Sequence, residues 1–171
     1  AAGTGLTVGA AFDASRLNAA VRGDAGSMGL DDNGGRVYAA WRQGQAALVV
    51  DAGYGVLGFR DIRRSTALGG LQARAKTSGT RWGAGIKAQW NHDVGGFSAR
   101  PWLGWRMERV KVAAFGETDM PGLAMDFDAQ EARSLSGAAG VDLANRFKLA
   151  ARDARFDFRV AWHGELGSGD R

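Results

Sequence analysis

The sequence predicts an all-β protein, an antiparallel up-and-down transmembrane β-barrel with about eight strands in this chain. Three observations carry that prediction. Apolar and polar residues alternate with a period of two in segment after segment, as a strand with two different faces requires. The connections alternate between tight and long, the arrangement of short periplasmic turns and longer extracellular loops in outer-membrane barrels. Finally, 27 glycines stand against only 2 prolines, which suits many strands and turns better than a disordered chain.

Taken in order, the first strand is predicted where Leu6, Val8, Ala10 and Phe12 alternate with Thr7, Gly9, Ala11 and Asp13. A second follows over 17–25, with Leu17, Ala19 and Val21 against Asn18, Ala20, Arg22 and Asp24. The third sets Val37, Ala39 and Trp41 against Arg36, Tyr38 and Arg42, and the fourth sets Leu48, Val50, Ala52, Tyr54 and Val56 against Asp51, Gly53 and Gly55. The fifth is the strictest: Trp82, Ala84, Ile86, Ala88 and Trp90 against Arg81, Gly83, Gly85, Lys87 and Gln89. In the sixth, Phe97, Leu103, Trp105 and Met107 oppose Arg100, Trp102, Arg106 and Glu108. Leu135, Ala139, Val141 and Leu143 oppose Ser134, Ser136 and Asp142 in the seventh, and Phe156, Phe158, Val160 and Trp162 oppose Arg155, Asp157, Arg159 and His163 in the last. Tight hairpin turns are predicted around Ala14 and Ser15, at Gly44 and Gln45, at "DVGG" (93–96) and at "ANRFK" (144–148). Longer polar connections are predicted at 29–34, 60–79 and 114–130, with a fourth beginning at Gly164.

Composition bounds the alternatives. A chain of 171 residues is long enough for one domain with a sizeable core, so 1–171 is read as a single unit. No stretch is apolar for the ~18 residues of a transmembrane helix, which leaves a barrel open because its strands show lipid only every second residue. The absence of cysteine excludes disulfide scaffolds and cysteine metal sites. A net charge of +4 admits a nucleic acid, an anionic surface or a basic cavity as its cause, and the location of the charges separates these.

Those charges fall on one face. Arg22, Asp24, Arg36, Arg42, Asp51, Arg81, Lys87, Gln89, Arg100, Arg106, Glu108, Arg133, Asp142, Arg155, Asp157, Arg159 and His163 are the expected pore-lining residues. The opposite face carries Trp41, Tyr54, Trp82, Ile86, Trp90, Leu103, Trp105, Phe156, Phe158 and Trp162, the expected lipid-facing row. Trp82 and Trp90 lie eight residues apart, which at ~3.3 Å per residue and a ~40° tilt spans about 20 Å, close to the ~25 Å apolar band between aromatic girdles. A soluble barrel or sandwich that binds an apolar ligand uses the same alternation with inside and outside exchanged, and remains the rival reading. A nucleic-acid surface would interleave aromatics with the cations, whereas here they lie on the other face, so no nucleic-acid partner is expected.

Chemistry-bearing motifs are weak. "GAGIKA" (83–88) matches a dinucleotide fingerprint, yet its glycines sit in mid-strand rather than at a strand-to-helix turn. His92 and His163 have no second ligand or spaced carboxylate beside them. No nucleophile elbow, Walker loop or zinc spacing appears, so neither enzymatic activity nor a cofactor is expected.

Four runs carry a family resemblance: "FRDIRRSTALGG" (59–70), "TRWGAG" (80–85), "RPWLGWRMERVKVAAFGE" (100–117) and "MDFDAQEARSLSGAAGVDL" (125–143). In order and spacing they resemble the translocator β-domain of classical autotransporters, most closely those with a GDSL-type esterase passenger, and the neighbourhood of Phe127, Gln130, Glu131 and Arg133 is the most specific part. The resemblance implies a twelve-stranded barrel in the bacterial outer membrane, threaded by a helix, that anchors a passenger and assists its export. It also implies outer-membrane lipid, the passenger segment and the barrel-assembly machinery as partners. Against that pattern this chain lines up from the family's second strand to a loop after Glu165, without the family's esterase motif, so it is expected to be an internal portion of the domain. Closure on itself would instead pair 6–12 antiparallel with 155–162.

Overall fold

The computed structural model describes residues 4–21, 25–65, 71–94, 96–120, 122–149 and 152–170. Among these residues there are ten strands: β1 (Thr4–Val21), β2 (Gly26–Gln43), β3 (Ala46–Ser65), β4 (Gln72–Trp90), β5 (His92–Val94), β6 (Phe97–Val112), β7 (Phe115–Gly116), β8 (Asp126–Phe127), β9 (Gln130–Leu149) and β10 (Arg152–Asp170). Eight form one antiparallel sheet in the order β1-β2-β3-β4-β6-β9-β10, with β5 on the edge of β6; β7 and β8 make a separate two-stranded hairpin. Among the described residues there is no helix.

The sheet is all-β and about eight-stranded, as predicted, but the chain is divided differently. No turn forms at Ala14 and Ser15: β1 runs straight through them, pairing Ala14 with Asn33 and Ser15 with Asp32. Neither residue relieves a left-handed backbone as Gly does, and the partner strand is long enough to keep hydrogen-bonding them. For the same reason 29–34, expected as a loop, lies inside β2. β9 continues through "ANRFK" to Leu149, so no turn forms there, and β10 continues past Gly164 to Asp170. The two tight turns whose glycines have positive φ are where expected: Gly44 (φ 60) opens the two-residue loop between Gln43 and Ala46, and Gly96 (φ 88) turns the chain into β6. Gly as first residue of a two-residue hairpin loop suits a II′ turn.

Merging the first two predicted strands changes closure. Six successive antiparallel steps lead from β1 to β10, so these outer strands run in the same direction, and the antiparallel seam between 6–12 and 155–162 cannot form. Among the described residues β1 pairs only with β2 and β10 only with β9. The sheet is therefore open, and it curls into a half-barrel. The curl is visible in a single side chain: Arg81 on β4 reaches Asp13 on β1, across two intervening strands that in a flat sheet would separate them by about 14 Å.

A compact core is absent among the described residues: the buried apolar residues are Leu57, Ala73, Met120 and Ala144, while Phe12, Tyr54, Trp90, Phe156 and Trp162 are all more than half exposed. Strands of 16 to 20 residues also exceed what a ~25 Å apolar band needs.

Candidate functional site: a charged concave face and an apolar convex face

Because directly opposed residues share a face, the pairing registers sort every strand residue. One transverse row reads Val8, Ala39, Val50, Ile86, Trp105, Gly137, Gly164, and the next Leu6, Trp41, Leu48, Ala88, Leu103, Ala139, Trp162. All are apolar. A row of the other parity reads Gly9, Tyr38, Asp51, Gly85, Arg106, Ser136, Glu165. The reach of Arg81 to Asp13 puts this second set on the concave face.

Long cations there lie across small neighbours. Arg81 donates from Nε to Asp32 at 2.7 Å and from Nη2 to Asp13, and it can do so because Gly55 and Gly34 lie beneath it. A Cβ on Gly55 would come within 2.9 Å of Arg81 Nε, and one on Gly34 within 2.9 Å of its Nη2. Likewise Arg106 donates to Asp51 at 2.9 Å, with Arg36 3.8 Å from the same carboxylate, over Gly85, where a Cβ would meet Asp51 at 2.7 Å. Glu108 is 3.5 Å from Arg106. Arg159 pairs with Asp142 and Arg155 with Asp157. Lys87 stands 4.5 Å over the Trp102 ring, and the His163 ring lies tilted to that indole with centroids 6.1 Å apart. These rings and the Asp51–Arg106 pair line a recess of about 550 Å³. Arg42 and Gln89 share a row with Trp102, and Arg100 shares one with Asp142 and Arg159, so they too lie on this face.

Arg22 and Asp24 lie outside the described residues. Arg133, expected among the pore-lining residues, lies on the other face: it is opposite Arg109, which is opposite Trp82. Its odd number matches Leu135, not Ser134, so the two-residue period already excluded it from the polar row. Two further concave residues belong to the network: Asp13, which the alternation sets on the polar face of the first strand although it is not among the expected pore-lining residues, and Asp32. Asp32 was hidden by treating 29–34 as a loop, although Asp32, Gly34, Arg36 and Tyr38 continue the alternation.

The ten residues of the expected lipid-facing row share the convex face. All are exposed except Trp82, which is half-buried. Aromatics mark both rims: Trp41, Trp90, Phe97 and Phe156 near the short turns, Phe12, Tyr54 and Trp82 toward the long connections. Beyond that second rim the convex face turns polar, with Asp31 held by Arg16 and Arg60, and Glu131 by Arg109 and Arg133.

The 113–129 connection is folded back on the sheet. Phe115 stacks on Phe127 at 4.7 Å, Arg74 and Thr118 exchange backbone hydrogen bonds of 3.1 and 2.8 Å, and Met120 is 2% exposed. Its anchor is Arg64, which donates to Glu117 at 2.8 and 2.6 Å, while Glu117 also accepts the Met125 N–H at 3.1 Å. These bonds, the Arg64 guanidinium first, hold the Glu117 carboxyl below its ordinary 4.5. A carboxylate with a depressed folded value contributes stability above the unfolded value and loses it as pH falls through the folded one. The loop is therefore expected to loosen only in acid. A fluorophore on a cysteine at Asp128 should lose anisotropy as the pH drops below 4.5, and Arg64→Leu should give the low anisotropy at every pH; an acid-insensitive probe in the parent chain would refute the anchor.

The family model described as autotransporter beta-domain matches residues 1–171. No curated protein matches the chain.

Proposed function

The chain belongs to the autotransporter β-domain family, a family of outer-membrane β-barrel translocators, and on that premise we propose that its half-barrel forms part of the wall of a pore that anchors a passenger and assists its export. The chain is located in the bacterial outer membrane. Its family is a translocator family rather than a catalytic one. In the proposed arrangement the convex rows from Leu6 to Trp162 meet lipid, and the concave network of Arg36, Asp51, Arg81, Arg106, Asp142 and Arg159 lines a hydrated lumen.

The observation that carries this reading is the placement of charge: ion pairs span the concave face over glycines, while the convex face between its two aromatic rims is apolar and exposed. A soluble barrel would put the charges outside and fill the concave side with the apolar rows. The 1–171 segment is read as one portion of the domain, with the outward backbone groups of β1 and β10 satisfied by further strands, because unpaired groups in hydrocarbon cost several kcal/mol each. Insertion through the barrel-assembly machinery and a GDSL-type esterase passenger belong to the same proposal, the latter resting on the runs at 59–70, 100–117 and 125–143.

The test uses the whole protein in cells, with single cysteines introduced into this chain, which has none of its own. A cysteine at Asp128 is expected to react with a membrane-impermeant maleimide on intact cells, and one at Gln45 only after the outer membrane is opened. The passenger should be cleavable by added protease, and Ile86→Arg should abolish that exposure. Equal labelling of both cysteines in intact cells would defeat the transmembrane arrangement; a passenger exposed equally in parent and Ile86→Arg cells would defeat the export role.

A further inference from the structure

We propose that the convex face carries a docking groove for the phosphate headgroup of an outer-leaflet lipid, immediately on the long-loop side of the apolar band; this rests on the transmembrane reading above. The groove has a volume of about 530 Å³. Its floor is made of small residues, Gly58, Ser78 and Ala113, which the pairing of Gly58 with Ser78 and the 2.8 Å bond from the Ala113 N–H to the Ser78 carbonyl bring side by side. Arg60 and Lys76 stand at its walls. Toward the bilayer lies Lys111, two residues before Ala113 on the same face and opposite Thr80.

Charge complementarity identifies the occupant. The groove itself is lined by Arg60 and Lys76 against Asp31, with the Asp126 carboxylate beside Gly116; Arg60 is bonded to Asp31, so Lys76, and Lys111 toward the bilayer, are the cations left over. Lys76 has no ion-pair partner among the described residues, and Lys111 is 3.7 Å from a carboxylate already held by Arg109 and Arg133. An anion is thus met by two lysines whose own demands are unfilled, and the Ser78 hydroxyl is available as a neutral donor. Below the groove the same face continues as Val56, Tyr54, Trp82 and Met107, all apolar or aromatic. A phosphate joined to acyl chains satisfies both levels at once, whereas a free phosphate leaves the apolar wall unused.

The whole protein is reconstituted into phosphatidylcholine vesicles doped with a phosphorylated glycolipid, or with the same glycolipid dephosphorylated, and the doped lipid retained per protein is measured after extraction in mild detergent. The parent is expected to retain the phosphorylated lipid preferentially. Lys76→Gln and Lys111→Gln should each lower that retention about fivefold, and Ser78→Leu, which fills the floor without altering charge, should lower it too. Inorganic phosphate should not compete. Equal retention of the two lipids, retention unchanged in all three variants, or displacement by inorganic phosphate would overturn the inference. Insertion is scored in the same samples by protection from protease: a protected protein indifferent to the phosphate overturns this inference alone, and one never protected overturns the transmembrane reading together with it.

Discussion

Replacing Ile86 by Arg is expected to destabilise the folded domain in a bilayer by about 2–4 kcal/mol, the range for a cation at the lipid-facing midplane of a barrel. Ile86 lies midway between Trp82 and Trp90 on β4, with Val50 and Trp105 directly opposite on β3 and β6, so the new charge has no carboxylate on its own row and no nearby rim to reach. Gln89→Arg is the control. Gln89 is three residues away on the other face, in the row of Arg42 and Trp102, where a long cation has water and polar neighbours. A denaturant titration of the domain folded in lipid vesicles should give a large loss for the first variant and less than about 1 kcal/mol for the second. Similar losses at both sites would refute the assignment of the two faces.

The second large effect is expected at Arg81. Its guanidinium, 29% exposed, bonds Asp32 on β2 and Asp13 on β1 from β4, and among the ion pairs of the described sheet residues it alone reaches across two intervening strands. Arg81→Met removes the cation and leaves Asp32, four-fifths buried, without its partner. The loss is expected to be about 2–3 kcal/mol, as for charged hydrogen bonds whose partner stays behind. Adding Asp32→Asn to Arg81→Met should recover part of it, because an uncompensated carboxylate is the main penalty. Gly55→Val should resemble Arg81→Met although it touches no charge, since its side chain would occupy the space in which Arg81 Nε lies. Additive losses for Arg81→Met and Asp32→Asn, or a harmless Gly55→Val, would refute the bridging role; the same vesicle titration reads all four variants.

Much of this molecule was legible in its sequence because a strand has a period of exactly two and the two sides of this sheet meet different environments. Any segment long enough to show that period declares its faces, and so Trp82 to Trp90, or Phe156 to Trp162, could be sorted without coordinates, along with the all-β class and the turns at Gly44 and Gly96. Periodicity is silent about where a strand stops. A residue at a hairpin tip and one in mid-strand differ in whether a neighbour's backbone is there to bond, and for Ala14, Ser15, Asp32 and Asn33 that neighbour is another strand of the same sheet. Once β1 and β2 are joined in that register, the outermost strands run parallel, the antiparallel seam between them is ruled out, and Asp32 moves from a supposed loop into the path of Arg81. Which cation meets which carboxylate is likewise a matter of curvature: Asp13 and Arg81 are 68 residues and two strands apart, and only the bending of the sheet brings them within a hydrogen bond.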